Sequence, residues 1–600
     1  MASRGAEAAI DERSATLALV GGNTSAPKPP KTKAALKAAA PPKPPAAKKG
    51  KGKKKEKVEV AMEAALPLAK LLGTTNFPHT NGEYYVTTAI NYANGAPHMG
   101  HAYEALVTDV VARYHRLSGK KTFMLTGADE HGQKIANTAL AQGIKPQELV
   151  DSCVKRFKEL DERLDVAYDD YLRTTSDRHK QCCHELWRRC AKKGDVFLER
   201  YDGWYDERAE QFVKASDAKL QNFKDADGIP LKRTSEECYF FRLGKYAPAV
   251  RKHIEAHPEF VQPEARRRDV LRMLDDAEEI EKLSISRTTF NWGVGLPLGF
   301  DAGHVMYVWL DALTNYITGV GYPDVESESY KKYWPADLHI IGKDIVRFHA
   351  IIWPAMLMAA DIALPKRVFG HGFLNNKGEK MSKSVGNVID PIAIADTYGI
   401  DQVRYFLTRE IPYGQDGSYS HDLMVNRINA DLANDLGNLA QRSLSMVAKN
   451  CGGAVPEAGA LTTADLALFA QAETALERAR AHVDACALHL ATAAIWEVAA
   501  SANRYFAGEE PWALKKTDPA RMASVLYVTI ETVRRVAILA QPIVPTAAAK
   551  LLDLLSVPEG ARNFSTVGDA YRLQSGTELP KPQAVFPRLN DEDLLASEGA

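Results

Sequence analysis

Two lysines and two serines occur within five consecutive residues in the stretch GEKMSKSVG, which spans residues 378–386. Lysine ammonium groups and serine hydroxyls donate hydrogen bonds, and together they can bind phosphate. The glycines at both ends give the backbone freedom to move. Because a single K-x-x-K pair is also common in solvated surface loops, the meaning of this stretch depends on the rest of the chain.

Two further stretches have residue types suited to nucleotide chemistry. HMGH, at residues 98–101, lies between a predicted strand and a predicted helix. Gly100 allows the backbone to approach a ligand closely, and the amino terminus of the helix directs partial positive charge at phosphate. GKDIVRFH, at residues 342–349, follows another predicted strand, where the Asp344 carboxylate can hold ribose hydroxyls. Each histidine alone is more typical of a structural role than of a catalytic one.

The elements predicted around these stretches alternate between strand and helix. EYYVTTAI predicts a strand, AYEALVTDVVARYHRLSG a helix and KTFMLTGAD a second strand. The same alternation resumes in DLHIIGKDIVRFHAIIWPAMLMAA and RVFGHGF. Such βαβ units form parallel sheets, whose ligand sites lie at the carboxyl ends of the strands. We therefore predict an α/β, Rossmann-like catalytic domain in two halves, residues 83–195 and 301–375.

Changes in composition predict the remaining regions. Residues 196–300 contain short strand and turn patterns and form a connective insertion between the two halves. Residues 376–430 hold the lysine-rich loop, and residues 431–556 have the helical periodicity of a bundle. Residues 557–600 form a C-terminal segment. Residues 1–75 are a tail rich in Lys, Ala and Pro, which has too few large apolar residues for a core and is predicted to be disordered.

The formal net charge of zero hides an uneven distribution. Residues 1–57 carry fourteen Lys and Arg against four Asp and Glu, so the tail is +10 and the rest of the chain is −10. A flexible cation of this kind favours weak, salt-dependent contact with polyanions such as RNA. A solubilising spacer or part of a targeting signal is the alternative interpretation. The acids at positions 7, 11 and 12 are atypical of an organellar transit peptide.

Cysteine and apolar residues indicate the compartment only coarsely. The seven cysteines form no C-x-x-C pair, which is typical of buried thiols in a reducing compartment. No run of about 18 apolar residues is present, so we expect no membrane span. We expect a soluble intracellular protein of the cytoplasm, the mitochondrion or the chloroplast.

HMGH, G-x-D-x-x-x-x-H and KMSKS occur in this order, with roughly 280 residues between the first and the last. As a set they resemble the HIGH and KMSKS signatures of the class I aminoacyl-tRNA synthetases. The resemblance implies an ATP substrate with Mg²⁺ and a KMSKS loop that closes over the triphosphate. It assigns catalysis to His98, His101, Lys380 and Lys383. It assigns ATP binding to Gly100, Asp344, Met381 and Ser382.

Length and local sequence together indicate the amino acid. Relatives specific for isoleucine, valine and leucine carry a large editing domain, for which residues 196–300 leave little room. TAINYANGAPHMGH, TGADEHG and MYVWLDALTNYITG resemble the methionyl-tRNA synthetases, a resemblance that extends over residues 83–556. It implies that Asp129 binds the substrate ammonium. It places the methionine side chain among Ile90, Tyr92, Trp309, Ala312, Leu313, Tyr316, Ile345 and His349. A thioether is a weak acceptor, so aromatic and aliphatic shape must select it.

GNLAQR and NRYFAGEEPWALKK are similar to the anticodon-reading helices of the same family. The resemblance implies that Asn438, Arg442 and Trp512 contact the CAU anticodon of tRNA(Met), by stacking and by hydrogen bonds to base edges. Many members hold one or two zinc knuckles in the insertion, where this chain has only Cys238. A zinc site needs about four ligands, so we expect no structural zinc and no other protein-bound metal.

The resemblance implies a methionine–tRNA ligase that uses L-methionine, ATP and tRNA(Met). A class I ligase for another amino acid, such as cysteine, is the alternative within this enzyme class. A nucleotidyltransferase related through the first signature would not need the helical region. A scaffold or RNA-binding protein built on an inactive synthetase predicts damaged signatures, whereas those of this chain are intact. The oligomeric state is open, with a monomer favoured.

Overall fold

The computed structural model describes residues 82–206, 211–213, 215–225, 228–276, 281–380 and 389–590, without the side chains of residues 211, 379 and 380. The predictions for the Lys-rich tail and for Met381, Ser382 and Lys383 lie outside these residues, as does the prediction for the Lys380 side chain.

The described chain begins with the α/β alternation expected from its sequence and continues into a helical region. The strands are β1 Glu83–Thr87, β2 Asn91–Tyr92, β3 Lys121–Asp129, β4 Asp170–Arg173, β5 Val196–Asp206, β6 Gln211–Val213, β7 Lys232–Phe241, β8 Val261–Gln262, β9 Leu283–Ser284, β10 Ser286–Arg287, β11 Val305–Met306, β12 Leu338–Gly342, β13 Val368–His371, β14 Leu374–Asn376, β15 Glu379–Lys380 and β16 Gly417–Tyr419.

The helices are longest in the carboxyl-terminal part of the chain. They are α1 Met99–Leu117, α2 Gln133–Gln142, α3 Pro146–Arg163, α4 Asp177–Lys192, α5 Ala215–Leu220, α6 Leu243–Ala256, α7 Glu264–Met273, α8 Val308–Thr318, α9 Glu328–Tyr333, α10 Trp353–Ala359, α11 Pro391–Tyr398, α12 Ile400–Arg409, α13 His421–Arg427, α14 Asn438–Asn450, α15 Thr463–Asp484, α16 Leu488–Glu509, α17 Pro511–Thr517, α18 Pro519–Ala540 and α19 Pro545–Leu554. Two π-helical segments, Phe348–Ile352 and Ile428–Gly437, interrupt this pattern.

A parallel sheet organises the catalytic region. Its strand order is β2-β3-β1-β12-β13-β8, and β4 pairs with β3. β1 therefore has β3 on one side and β12, more than 200 residues later, on the other. The strand order reverses at this point, and a reversal of order opens a crevice at the carboxyl ends of the strands. The α/β fold class predicted from the sequence is confirmed, and such a crevice is where ligands bind in folds of this kind.

The segment predicted as the connective insertion divides into two parts. β5, β6, β7 and β9 form a separate antiparallel sheet. By contrast, β8 pairs in parallel with β13 and extends the catalytic sheet. The hydrophobic pattern did not distinguish a two-residue edge strand from the turns around it, since β-pairing partners are chosen in three dimensions.

The helical region packs against the catalytic domain through one continuous apolar core. Residues of α1 and β1 share this core with α12, α15, α16 and α18. Phe564, Val567, Leu573 and Phe586 of the C-terminal segment are buried in it as well. β14 lies at the end of the predicted second catalytic half, and it forms a small sheet with β15 and β16 of the region predicted to contain the lysine-rich loop. Among the described residues, no helix is both long and apolar enough to cross a bilayer.

Candidate active site

The HMGH stretch forms the amino-terminal cap of α1. The Gly100 N–H donates to Nδ1 of His98 at 3.1 Å, and the His98 N–H donates to Nδ1 of His101 at 3.2 Å. Since each Nδ1 accepts, the ring hydrogen of each neutral imidazole is on Nε2. The two rings stack with centroids 3.8 Å apart. A Cβ at Gly100 would lie 2.9 Å from the His98 ring, so a side chain at this position would displace the ring.

The two histidines open onto a cavity of about 680 Å³ at the carboxyl ends of β3, β12 and β13. All the predicted methionine- and ATP-site residues in the described part of the chain line this one cavity. They are Ile90, Tyr92, His98, Gly100, His101, Asp129, Trp309, Ala312, Leu313, Tyr316, Asp344, Ile345 and His349. Four separate segments of the chain supply them, so the cavity exists only in the folded protein.

One end of the cavity is aromatic and has a fixed hydrogen-bond arrangement. Nδ1 of His349 lies 3.0 Å from the Ile345 carbonyl, which can only accept, so Nδ1 donates. Nε2 then accepts from the Tyr316 hydroxyl at 2.7 Å. Burial lowers the pKa of His349 to about 4, so this ring is neutral at physiological pH. Trp309 stacks on Phe348 with ring centroids 3.7 Å apart. This end offers a rigid, uncharged, polarizable surface to a ligand.

Asp129 ends β3 at the edge of the aromatic end and is buried there. Lys134, on the following helix α2, also lines the cavity, and its Nζ lies 5.7 Å from the centre of the Tyr92 ring. A buried carboxylate beside an apolar chamber is suited to a ligand that carries an ammonium group on an apolar chain.

A buried hydrogen-bond network behind α8 supports this arrangement. The Asp311 carboxylate accepts from Nδ1 of His131 at 2.6 Å and from Nε2 of His179 at 2.7 Å. Burial alone would raise the pKa of Asp311, but the two imidazoles hold it well below its ordinary value. α8 carries Trp309 and Tyr316, and His131 follows Asp129 by two residues. Asp311 therefore fixes the aromatic wall relative to the carboxylate.

The same network contains three potential metal ligands. In the described part of the chain, His179, Cys183 and Asp311 are the group whose donor atoms lie close enough together to share a metal ion. Their separations, 2.7 Å from His179 to Asp311 and 3.3 Å from His179 to Cys183, are those of hydrogen bonds. Burial also keeps the pKa of the Cys183 thiol well above its ordinary value, which disfavours the thiolate that a metal binds.

Two charged residues that no sequence motif indicated line the opposite end of the cavity. Glu104 accepts from Nε2 of His371 at 2.8 Å and from the Ala89 N–H at 2.8 Å. Nδ1 of His371 lies 2.8 Å from the Gly372 carbonyl. Burial opposes protonation of His371, but the bond to Glu104 and its charge outweigh burial and raise the pKa of His371. The spacing of Glu104, three residues after His101 on one helix, was the available signal.

The three predicted anticodon residues lie far from this cavity in the chain, on the helical region. Arg442 and Trp512 are brought together from α14 and α17, with the guanidinium 5.6 Å from the indole ring. Phe506 completes the cluster, 5.0 Å from the guanidinium. Asn438 is exposed one turn before Arg442 on the same helix. Trp512 is 46% exposed, so it is a surface residue rather than a core residue.

Comparisons with known proteins cover nearly the whole described chain. Residues 84–221 and 224–444 match the family model described as tRNA synthetases class I (M), and residues 455–598 match the anticodon binding domain of methionyl tRNA ligase.

A methionine–tRNA ligase of Mesorhizobium japonicum is 55% identical over 509 residues, covering 84% of this chain and 98% of that protein. One from Mycobacterium tuberculosis is 52% identical over 512 residues, covering 84% and 98%. The solved structure of Mycobacterium tuberculosis methionyl-tRNA synthetase in complex with methionyl-adenylate has a TM-score of 0.81 and 51% identity, covering 84% of this chain and 100% of that one.

Proposed function

This chain belongs to the class I methionyl-tRNA synthetase family, and from that premise we propose which of its residues perform each step. The protein is an ATP-dependent methionine–tRNA ligase. It activates L-methionine with ATP to methionyl-adenylate and pyrophosphate, and then transfers methionine to tRNA(Met) in translation. The observation that carries the assignment of residues is the single cavity that joins an aromatic chamber, a buried carboxylate and the HMGH helix terminus.

Methionine binds with its ammonium on Asp129 and its side chain in the aromatic chamber. Tyr316, His349 and Trp309 form the walls, and the neutral His349–Tyr316 pair presents no charge to the thioether. Ile90, Tyr92, Ala312, Leu313 and Ile345 complete the pocket. One methylene changes binding by only ~1–3 kcal/mol in such a pocket, so we expect incomplete rejection of homocysteine.

ATP binds at the polar end of the cavity. A methionine carboxylate oxygen attacks the α-phosphorus, the bond from that phosphorus to the bridging oxygen breaks, and pyrophosphate leaves with the electron pair. His98 and His101 donate through Nε2 to the phosphates, supported by the amino terminus of α1 and by Gly100. Asp344 holds ribose hydroxyls. Lys380, Met381, Ser382 and Lys383 close over the leaving pyrophosphate, whose charge the lysines neutralise.

Mg²⁺ enters with ATP in this proposal. The carboxylates that line the described cavity are Glu104, Asp129 and Asp344, and Glu104 is already engaged by His371 and the Ala89 N–H. Mg²⁺ prefers phosphate oxygens and water over a dedicated protein cage, which fits so small a set of carboxylates. We propose no structural zinc, because Cys238 is buried and accepts a hydrogen bond from Ser284 at 3.2 Å.

The helical region, residues 431–556, reads the anticodon of tRNA(Met). Trp512 offers an exposed ring on which a loop base can stack, while Arg442 and Asn438 can bond to base edges. Contact between Arg442 and the two aromatic rings already orders the guanidinium. Residues 1–57 add sequence-independent attraction for RNA. Deleting residues 2–57 should therefore raise the tRNA KM at low salt and have less effect at moderate salt; an unchanged KM at both would refute this role.

We also propose that the chain acts as a monomer inside a reducing compartment of the cell. One chain supplies the whole described cavity. The seven cysteines are all free, and six of them are buried.

Pyrophosphate exchange with each of the twenty amino acids tests the proposal directly. The assay contains ATP, Mg²⁺ and labelled pyrophosphate but no tRNA, so it reports adenylate formation alone. We expect exchange with methionine only, apart from weak exchange with homocysteine when that analogue is added. Exchange with cysteine instead would refute the proposed pocket and leave the ATP chemistry in place.

A further inference from the structure

The buried guanidinium of Arg404 connects the catalytic domain to the helical region. Arg404 lies on α12 with its side chain fully buried. Nη2 donates to the Asp109 carboxylate of α1 at 2.6 Å and to the Pro542 carbonyl at 2.9 Å, and Nε donates to the Ile543 carbonyl at 3.1 Å. Pro542 and Ile543 follow the end of α18.

The remaining nitrogen of Arg404 binds a third segment. Nη1 donates to the Leu164 carbonyl at 3.0 Å and to the Asp165 carbonyl at 3.3 Å, just beyond α3. Every guanidinium nitrogen therefore has a partner, and the partners come from three separate segments. The group is planar with a fixed fork of donors, so these bonds define the relative orientation of the segments and not only their distance.

Asp109 is equally committed to this junction. Its carboxylate also accepts from Nε of Arg113 at 2.7 Å and from the Ala167 N–H at 2.9 Å. Burying an ion pair costs desolvation free energy, and apolar residues of the same volume commonly give equal or greater stability. A gain in stability therefore does not explain why Arg404 and Asp109 are buried together. A requirement for one fixed orientation of the three segments explains it better.

The helices that meet at Arg404 lead to the two functional sites. Asp109 lies eleven residues after His98 on α1, or about 16 Å along the helix axis. In the other direction, α18 starts directly after α17, which carries Trp512, and its 22 residues extend for about 33 Å. α18 therefore connects the helix that carries Trp512 to the Pro542 and Ile543 carbonyls that Arg404 binds.

We propose that Arg404 is a positioning residue that couples occupation of the anticodon cluster to the placement of α1, and with it the adenylate phosphate at the amino terminus of this helix, during transfer of methionine to tRNA. This inference rests on the proposed anticodon role of Arg442 and Trp512. Adenylate formation needs no signal from the helical region and does not depend on Arg404 in this way. Transfer of methionine depends on Arg404, because transfer must follow correct docking of the tRNA.

Arg534 provides a matched control within the helical region. It is also a buried arginine, and it donates to the Glu531 carboxylate at 2.7 and 2.8 Å. Glu531 lies three residues earlier on the same helix, α18, and the other partners of Arg534 are the Thr566 and Val567 carbonyls. Arg534 thus has the same chemistry as Arg404 without a link to the catalytic domain.

The test compares Arg404→Lys and Arg534→Lys in the full-length protein. Lysine keeps the charge and loses the planar fork. The measurements are Tm, methionine-dependent pyrophosphate exchange without tRNA, and aminoacylation of tRNA(Met) with a CAU or an altered anticodon. For Arg404→Lys we expect exchange within about twofold of the wild type and a fall of about tenfold in the kcat of aminoacylation. The kcat difference between the two anticodons should shrink. Arg534→Lys should leave the ratio of the two activities unchanged.

Parallel loss of both activities in Arg404→Lys, no loss in either, or the same split in Arg534→Lys would overturn the inference. If Arg404→Lys does not fold, Asp109→Asn tests the same contact, because the amide keeps the shape and one acceptor oxygen. Asp109→Asn should also lower aminoacylation more than pyrophosphate exchange, by a smaller factor. Parallel changes in both activities would again count against the coupling. A wild-type protein without methionine exchange would refute the proposed function itself, which is a separate outcome.

Discussion

The catalytic cavity and the anticodon cluster contain similar side chains in opposite surroundings. Tyr316 is fully buried and its hydroxyl bonds to a neutral histidine within a chamber. Trp512 is 46% exposed and contacts a guanidinium at the surface of two helices. The cavity is assembled from five segments of the chain, whereas the cluster needs two short helices and the end of a third.

The difference follows from what each ligand brings. Methionine is small and offers one weak acceptor in its side chain, so the protein must supply an enclosed shape and exclude water. A loop base of tRNA brings its own flat surface and several hydrogen-bonding edges, so a few exposed groups can read it. The catalytic cavity is an enclosed site whose side chains are fixed by folding. The anticodon cluster is an open site that is completed only when the RNA binds.

The largest effect is expected for Lys383, which we assign to stabilisation of the transition state rather than to binding of ATP. Lys383→Ala should lower the kcat of pyrophosphate exchange by about 100- to 1000-fold while the KM for ATP changes little, since the lysine acts on charge that develops in the transition state. Steady-state exchange kinetics measure both constants. Lys377→Ala, in the same part of the chain and outside the motif, is the control. A normal kcat with weak ATP binding would contradict the assigned role.

A smaller effect is expected at the open site. Trp512→Ala should raise the KM for tRNA(Met) by about 5- to 150-fold, because one stacked base is worth ~1–3 kcal/mol. Exchange without tRNA should not change. Tyr571, another exposed aromatic residue of the C-terminal part, gives the control variant Tyr571→Ala. If both variants raise the KM equally, a general loss of aromatic surface explains the result, and the anticodon assignment is wrong.

Tyr316→Phe tests the cavity alone, because it removes one hydrogen bond there and leaves the anticodon cluster intact. Loss of the 2.7 Å bond to His349 should raise the KM for methionine about 2- to 10-fold, from a net hydrogen bond of ~0.5–1.5 kcal/mol. The KM values for ATP and tRNA should stay constant. Tyr527→Phe removes a comparable bond to the Leu573 carbonyl in the helical region and should leave all three values unchanged. A methionine KM equal to that of the wild type would show that shape alone selects the substrate.

The smallest expected effect is a pH dependence confined to the cavity. His371 has a pKa raised above its ordinary value of 6.5, so its positive charge is present below that raised pKa and is lost as pH rises through it. The KM for ATP should therefore increase about threefold with rising pH, because a positive charge at the end of the cavity that binds the triphosphate is lost. The same protonation stabilises the fold, and that contribution is also lost as pH rises through the raised pKa.

Measurements of the ATP KM between pH 6 and 9 check this expectation, with His371→Asn as the variant that should abolish the inflection. The KM for tRNA(Met) should lack it, since the anticodon residues lie outside the cavity that His371 lines. An inflection that persists in His371→Asn would assign the pH dependence to another group.

Some functional residues were predictable from sequence motifs, and others were not. The HMGH and G-x-D-x-x-x-x-H stretches identified His98 and Asp344, and both line the cavity. Glu104 and His371 carry no motif of their own, and their pairing joins positions 267 residues apart. β8 was missed because a two-residue strand has no periodicity to detect. Arg404 gave no signal at all, since an isolated arginine in a helical pattern is normally exposed.

The sequence by itself determined the family, the reaction and the alternation of strands and helices, because these depend on local spacing and on motifs of a few residues. Only the tertiary structure decided which buried charges meet. Glu104 with His371, Asp311 with two histidines and Arg404 with three segments are each joined across long stretches of chain. The physical reason is that the desolvation cost of burying a charge is offset only where partners converge in space, and convergence is a property of the folded chain.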